Sequence, residues 1–168
     1  VGAGRIGRAV AAVAPAFGMR AVFAARTGAG AENAATDHAV VSLDELLLTS
    51  DVVSLHVPLT QDTRHLINRR TLARMKRSAF LINTSRGGVV DDGALAWALD
   101  ARLIAGAGLD VYEGEPGVHP QLVGRENVCL TPHLGSATRE TRTAMAELAV
   151  RNVVEVVSGR PAVTPVAL

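Results

Sequence analysis

Short apolar segments alternate along the chain with longer segments of helical character. The apolar segments have nearly continuous hydrophobic centres, which is typical of strands buried on both faces of a sheet. The predicted strands are Arg20–Ala25, Asp51–His56, Ala79–Asn83, Ala105–Asp110 and Asn127–Thr131. Because helical segments separate these strands, the pattern predicts an α/β fold with a doubly wound parallel sheet.

Capping residues and prolines predict where the helices begin and end. Ser42-Leu43-Asp44-Glu45 has the sequence of a capping box, and Pro15 is expected to confine or bend the last turn of the first helix. The predicted helices are Arg5–Phe17, a short helix from Ser42 to Leu48, Arg69–Met75 capped by Asn68, a helix from Asp91 to about Ala101, and a long helix that starts at Ser136 or Thr138 and ends near Gly159.

Composition narrows the class of protein. The chain has 168 residues, 48% of them hydrophobic, and can bury the core of about one domain. Its formal net charge of +1 predicts neither a nucleic-acid partner nor a membrane surface. No apolar run reaches the ~18 residues of a membrane span. The single cysteine, Cys129, excludes an internal disulfide and predicts a cytoplasmic location.

The chain opens on the glycine pattern Val1-Gly2-Ala3-Gly4-Arg5-Ile6-Gly7, which a predicted helix and then a predicted strand follow. In a G-x-G-x-x-G pattern the glycines permit a tight turn, close approach of a pyrophosphate, and close helix–strand packing, while the helix N-terminus attracts phosphates. The sequence therefore predicts a Rossmann-like, dinucleotide-binding domain. The expected cofactor contacts in this loop are Gly2, Gly4, Arg5, Ile6 and Gly7.

The end of the first predicted strand bears on the choice of dinucleotide. An acid about 20 residues beyond the glycines usually binds the ribose 2′-hydroxyl of NAD. Here the strand ends Ala25-Arg26-Thr27, with no acid before Glu32. Arg26 and Thr27 can bind a 2′-phosphate, so the sequence favours NADP(H). In the alternative interpretation Arg26 is a solvated strand-end residue and the cofactor is NAD(H).

Polar residues follow three consecutive predicted strands. Arg86 comes after the third strand, Asp110 and Glu115 after the fourth, and His133 after the fifth. Because ligands bind at the carboxyl ends of parallel strands, we expect these residues at one edge of the sheet. Arg86, Glu115 and His133 each have an ordinary structural explanation taken singly. Together, beside a nucleotide loop, they indicate an active site.

These motifs resemble those of the D-isomer-specific 2-hydroxyacid dehydrogenases over essentially the whole chain, and within that family the glyoxylate/hydroxypyruvate reductases. The resemblance is carried by Gly2–Gly7, Asn83–Gly87, Gly108–Val111, Glu115-Pro116 and Thr131–Ser136. It implies that Arg86, Glu115 and His133 are catalytic. It further implies a homodimer and a cofactor crevice that contains Pro58, Thr84, Ser85, Arg86, Asp110, His133 and Gly135.

The same three residues suit the reduction of a small 2-keto acid to a 2-hydroxy acid. Arg86 offers a bidentate fork for the substrate carboxylate and can polarise the carbonyl. His133 can donate a proton to the developing alkoxide, or accept it in the reverse reaction. Glu115 is expected to bind the other ring nitrogen and favour the charged imidazole.

Two other functions stay open. One is a phosphoglycerate dehydrogenase, which the missing NAD acid disfavours, and the other is a non-catalytic, dinucleotide-sensing binding module like the C-terminal binding corepressors. Because Val1 directly precedes the glycine pattern, we expect a fragment whose first strand is largely missing. Residues 1–158 are then the dinucleotide-binding domain, and residues 159–168 are a tail that returns to an absent substrate domain.

Overall fold

The structure is a computed structural model that describes residues 1–24 and 38–166. These residues form two compact units, one within Val1–Pro132 and one within His133–Leu168. Ala25, Arg26 and Thr27, on which the choice of dinucleotide was argued, lie outside the described residues. The division into a domain of residues 1–158 and a tail of residues 159–168 stays a prediction.

Four parallel strands form the sheet of the first unit. They are β1 (Val52–Leu55), β2 (Phe80–Asn83), β3 (Gly106–Leu109) and β4 (Val128–Leu130), and they lie side by side in chain order. Each begins and ends within one residue of a predicted strand. The parallel α/β, Rossmann-like fold is confirmed.

The helices described in the first unit begin where the sequence predicts them, and side chains cap all of these but the first. The helices are α1 (Arg5–Val13), α2 (Leu43–Thr49), α3 (Arg69–Leu72) and α4 (Asp92–Asp100). Ser42 Oγ accepts from the backbone N–H of Glu45 at 3.1 Å. Asn68 caps α3 in the same way, and Asp91 caps α4 through the N–H of Ala94 at 2.8 Å. These caps satisfy donors that have no partner inside the helix.

Two helices end earlier than predicted. The α-helix from Arg5 stops at Val13, and Pro15 lies in the separate 3₁₀ turn Ala14–Phe17, because proline cannot donate the hydrogen bond that continues an α-helix. The helix after Asn68 stops at Leu72 instead of Met75, since the next residues bond over three positions: Met75 N–H donates to Leu72 O at 3.1 Å.

The prediction of a strand over Arg20–Ala25 is wrong for residues 20–24, which are the part of this range that the structure describes. Only Phe23 pairs there, in a single parallel bridge to Val40. Phe23 N–H donates to Ala39 O at 2.9 Å, and Val41 N–H donates to Phe23 O at 2.8 Å.

Two hydrogen bonds link this segment, through Val1 and Gly2, to the chain at the end of β1. Gly2 N–H donates to Ala24 O at 2.9 Å, and His56 N–H donates to Val1 O at 2.8 Å. Val1 and Gly2 are therefore the residues that connect the segment to the sheet beside β1. A β-ladder needs several consecutive partners, whereas the described part of this segment has the single bridge of Phe23.

The core of the first unit lies between the sheet and its helices. The largest fully buried apolar side chains come from strands, helices and the loops that join them: Leu47, Leu55, Ile67, Leu72, Leu81, Leu95, Ile104, Leu109 and Leu122. A Cβ at Gly106 would lie 2.5 Å from the carbonyl oxygen of Asn127, so the close packing of β3 on the chain before β4 requires glycine.

The second unit consists of α5 (Arg139–Val157) and the segments that precede and follow it. Of the two predicted N-caps, Thr138 is the one observed, and its Oγ1 accepts from Thr141 N–H at 3.1 Å. Asn152 binds the following segment by two hydrogen bonds to Thr164, of 2.9 and 3.1 Å. Among the described residues, no helix has the length and apolar character needed to cross a membrane.

Candidate cofactor and active site

The register of the sheet brings the ends of all four strands to one level. Leu55 pairs with Asn83, Asn83 with Leu109, and Leu109 with Leu130. The next residues along the chain are His56, Thr84, Asp110 and Thr131. The four strands therefore end at one edge of the sheet, and each is followed there by a polar residue. That Arg86, Glu115 and His133 meet at this edge stays a prediction.

The glycine loop reaches this edge beside His56. Gly2 has a φ of +94°, and a Cβ on it would lie 2.6 Å from the carbonyl oxygen of His56. A Cβ on Gly7 would lie 2.2 Å from the carbonyl oxygen of Gly2, so the first turn of α1 packs directly on the loop. Both positions exclude larger residues for steric reasons.

The N-terminus of α1 has the features of a phosphate-binding site. Gly4 is its N-cap residue, with no side-chain capping hydrogen bond, whereas side chains cap α2, α3, α4 and α5. A Cβ on Gly4 would meet no atom within 4 Å, so the space over this turn is open. The first N–H groups of a helix have no partner inside it and favour an anion. The loop therefore fits the pyrophosphate of a dinucleotide.

Asn83 folds the loop that carries Arg86. Its buried Oδ1 accepts from Ser85 N–H at 3.1 Å and from Ser85 Oγ at 2.9 Å. Its Nδ2 donates to Arg86 O at 3.1 Å. Arg86 and Thr84 are exposed, and the Arg86 guanidinium donates to Ser85 O at 2.6 Å. The strand end thus holds the backbone of the loop and leaves the guanidinium at the surface.

Asp110 and Thr131 join the ends of β3 and β4. Thr131 Oγ1 donates to Asp110 Oδ1 at 2.6 Å, and Thr131 N–H donates to Leu109 O at 2.9 Å. Asp110 is buried, with 7% of its surface exposed. Its predicted contact with the cofactor stays a prediction.

Glu115 lies in the loop that follows β3. It is exposed, and its Oε1 accepts from Tyr112 N–H at 3.0 Å, which orients the carboxylate. The preceding Glu113 carboxylate accepts from Arg64 at 3.0 Å and lies 2.6 Å from His65 Nε2. The loop is thereby attached to the segment after β1, which also carries Pro58.

Asp92 connects the Glu115 loop to the helix that follows Arg86. Its buried Oδ2 accepts from the backbone N–H of Glu113 at 3.1 Å. Burial raises the pKa of Asp92 above its ordinary value, the Glu113 carboxylate adds to this effect, and the hydrogen bond from Glu113 N–H opposes it.

His133 is the first residue of the second unit, and Gly135 follows it there. Neither unit by itself defines the distance of His133 from Arg86 or Glu115. The backbone at His133 has a φ of +53°, a left-handed conformation that residues other than glycine seldom adopt. Such conformations are concentrated at functional sites, which agrees with the predicted role of His133 without testing it.

His56 lies next to the glycine loop. Its Nε2 is 2.9 Å from Ser54 Oγ, and burial lowers its pKa, which favours the neutral imidazole. Pro58 begins a short loop in which its carbonyl accepts from Thr63 Oγ1 at 2.6 Å. Among the described residues, no cluster of histidine, cysteine or carboxylate side chains has the arrangement of a metal site.

The sequence reasoning missed three residues that organise the site: Asn83, Asp92 and Tyr112. Each binds the backbone of a loop at the sheet edge. A polar residue at the end of an apolar strand is the signal that could have identified Asn83, whereas Tyr112 follows a strand as one more largely apolar residue. Asp92 follows the helix cap Asp91, and nothing in its sequence context distinguishes it from an ordinary first-turn acid.

A parallel sheet, a glycine turn at its edge and a helix start that no side chain caps define a dinucleotide-binding domain. The model of the family described as "D-isomer specific 2-hydroxyacid dehydrogenase, NAD binding domain" matches residues 1–135. The chain belongs to this family of NAD-binding domains.

Relatives with known names support this membership. A glyoxylate reductase of Thermococcus litoralis is 48% identical over 95% of this chain and 48% of its own length. A structure of an NADPH-dependent glyoxylate/hydroxypyruvate reductase of Sinorhizobium meliloti with NADP and malonate is 38% identical, with a TM-score of 0.90 over 99% of this chain and 51% of that one.

A D-lactate dehydrogenase of Lactobacillus jensenii with NAD+ is 31% identical, with a TM-score of 0.83 over 98% of this chain and 53% of that one. The chain thus spans about half the length of the relatives that it matches.

The glycine loop can be tested by two alanine substitutions in the full-length protein. Gly4→Ala meets open space, so we expect the free energy of unfolding to change by less than about 1 kcal/mol, as for a change of helix cap. Its affinity for NADPH should fall at least about tenfold, because the methyl group occupies the phosphate site. Gly7→Ala clashes with Gly2 and should lose both stability and binding. Isothermal titration calorimetry measures the affinity for NADPH, and chemical denaturation measures the free energy of unfolding. A normal affinity for NADPH in Gly4→Ala would contradict the assignment of this loop as the phosphate site.

Asp92→Asn tests the buried carboxylate. Since the folded state raises the pKa of Asp92, its ionisation lowers stability as the pH rises from its ordinary value of 3.8 through the raised one. Asparagine retains an acceptor for Glu113 N–H and carries no charge. We expect the Tm of the variant, relative to the parent, to be higher at pH 7 than at pH 3. A difference in Tm that is constant with pH would show that the Asp92 carboxyl does not titrate abnormally.

Proposed function

We propose that the full-length protein is an oxidoreductase that transfers a hydride between NAD(P)H and a small 2-keto or 2-hydroxy acid, with glyoxylate or hydroxypyruvate as the keto substrate. The observation that carries the proposal is the aligned sheet edge, where an uncapped glycine turn lies on the same side as the loops of Arg86 and Glu115. The named reductases among the relatives support this choice of substrate.

The cofactor binds with its pyrophosphate on the α1 N-terminus. The proposed contacts are Gly2, Gly4, Arg5, Ile6 and Gly7 in the loop, and Pro58, Thr84, Ser85, Arg86, Asp110, His133 and Gly135 at the sheet edge. When bound, the reduced nicotinamide supplies a hydride to the carbonyl carbon. The buried Asp110, oriented by Thr131, faces the carboxamide end of the crevice in this proposal.

Arg86 holds the substrate carboxylate through its planar guanidinium, which the extended backbone at the strand end exposes. His133 gives a proton to the oxygen that gains charge, and takes it back in the oxidation direction. Glu115 binds the second ring nitrogen of His133 and favours the imidazolium. The Glu115 carboxylate also accepts a hydrogen bond from Tyr112 N–H.

NADP(H) is the proposed cofactor, with NAD(H) as the alternative. The support is the Ala25-Arg26-Thr27 sequence, in which no carboxylate repels a 2′-phosphate. The relatives include a structure with NADP and one with NAD+, so membership of the family allows either.

Three further properties belong to the same proposal. The protein acts in the cytoplasm, as a homodimer, and residues 159–168 return to a substrate-binding domain outside residues 1–158. These expectations rest on the single cysteine and on the resemblance to the family.

Turnover tests the enzymatic function directly. The full-length protein, mixed with NADPH and glyoxylate, should consume NADPH, as measured at the nicotinamide absorbance band. His133→Ala should lower kcat by at least about 100-fold, the usual size of general-acid catalysis, with NADPH affinity nearly unchanged. His119→Ala is the matched control and should retain activity. Nucleotide binding without turnover of any 2-keto acid would favour the binding-module alternative.

Ala25→Asp tests the cofactor preference. The added carboxylate can bind a ribose 2′-hydroxyl and repels a 2′-phosphate. We expect the ratio of kcat/KM for NADH to that for NADPH to rise at least about tenfold, which corresponds to one favourable charged hydrogen bond. Ala25→Asn, without the charge, is the control. An unchanged ratio in Ala25→Asp would contradict the proposed preference.

A further inference from the structure

Tyr112 contacts the loops that follow three different strands of the sheet. It lies in the loop after β3, is 7% exposed, and is the only tyrosine of the chain. Its carbonyl group packs against the loop after β2, its N–H donates to Glu115 in its own loop, and its hydroxyl donates to the chain at the end of β4.

The contact with the loop after β2 is made at Gly87. A Cβ on Gly87 would lie 1.8 Å from the carbonyl oxygen of Tyr112 and 2.5 Å from the nitrogen of Glu113. The two backbones therefore touch directly, next to Arg86. Any side chain at Gly87 would separate the Arg86 loop from the Glu115 loop.

The contact within its own loop is the hydrogen bond from Tyr112 N–H to Glu115 Oε1, at 3.0 Å. A backbone donor is rigid where the chain on both sides of it is held. The buried ring fixes Tyr112 itself, and the hydrogen bond from Glu113 N–H to Asp92 fixes the next residue along the chain.

The hydroxyl makes the third contact. It lies 2.7 Å from Thr131 O and 3.2 Å from Leu109 O, and it can donate to either carbonyl. Burial raises the pKa of the Tyr112 hydroxyl, which keeps it a protonated donor at neutral pH. Thr131 is also held through its own hydroxyl by Asp110, and it precedes His133 in the chain by two residues.

We propose that Tyr112 is a positioning residue of the reductase site: it sets the spacing of the Arg86 loop, the Glu115 carboxylate and the chain that leads into His133. This inference rests on the proposed function above. The hydroxyl is the part of Tyr112 that can be removed without disturbing the other two contacts, since phenylalanine retains the ring, the N–H and the carbonyl.

The test compares Tyr112→Phe with the parent in the full-length protein, with NADPH and glyoxylate. We expect kcat to fall about tenfold, because misplacement of a proton donor by a fraction of an ångström slows chemistry by this order. The dissociation constant of NADPH should stay within about twofold, since the glycine loop is not touched. The solvent deuterium isotope effect on kcat should rise, as proton donation becomes more limiting.

Thr71→Val is the matched control. Thr71 is buried, and its hydroxyl lies 3.1 Å from the carbonyl oxygens of Leu66 and Asn68 and can donate to either, so the variant also loses a buried hydroxyl–carbonyl bond. The same oxygen accepts from Asn68 N–H at 2.8 Å, and the variant loses that bond too. It should lower the Tm as Tyr112→Phe does, with an unchanged kcat and isotope effect.

The outcomes separate the two proposals. A parent protein without turnover overturns the proposed function and this inference with it. An active parent with a Tyr112→Phe variant of equal kcat and isotope effect overturns the inference alone. A loss of kcat that Thr71→Val reproduces shows a merely structural role and also overturns it.

Discussion

The site depends on the register of the parallel ladder. Leu55, Asn83, Leu109 and Leu130 lie at one level, so the loops that follow them start side by side at one edge. A shift of register by one residue would turn each strand's side chains to the opposite face and move its loop along the edge. The apolar core beneath, with Leu81 and Leu109 almost fully buried, makes such a shift costly.

In the loops at this edge of the sheet, buried polar side chains form hydrogen bonds mainly with backbone groups. Asn83 holds the backbone around Ser85 and Arg86, Asp92 holds Glu113, and Tyr112 holds Thr131. Because such bonds restrict the main chain itself, the exposed side chains of Arg86 and Glu115 are carried on rigid loops. A preorganised site of this kind loses little free energy in rearrangement when a ligand binds.

Sequence patterns located most of the fold because local physics decides it. The caps at Ser42, Asn68, Asp91 and Thr138 are side chains that bond to backbone within three residues, and all four are observed. The strand predicted over Arg20–Ala25 failed for the opposite reason, since a strand exists only with its neighbours. The glycine loop was recognisable because steric exclusion at Gly2 and Gly7 leaves only one residue type.

By itself, the sequence determined the class of fold, the helix starts and the glycine turn, since each follows from periodicity, capping or the absence of a Cβ. Only the tertiary structure decided which residues hold the loops together. In the sequence, Tyr112 looks like one more apolar residue after a strand, and Asp92 looks like an ordinary acidic residue in the first turn of a helix. Their roles arise from contacts with Thr131 and Glu113, 19 and 21 residues away along the chain, and long-range packing alone brings these groups together.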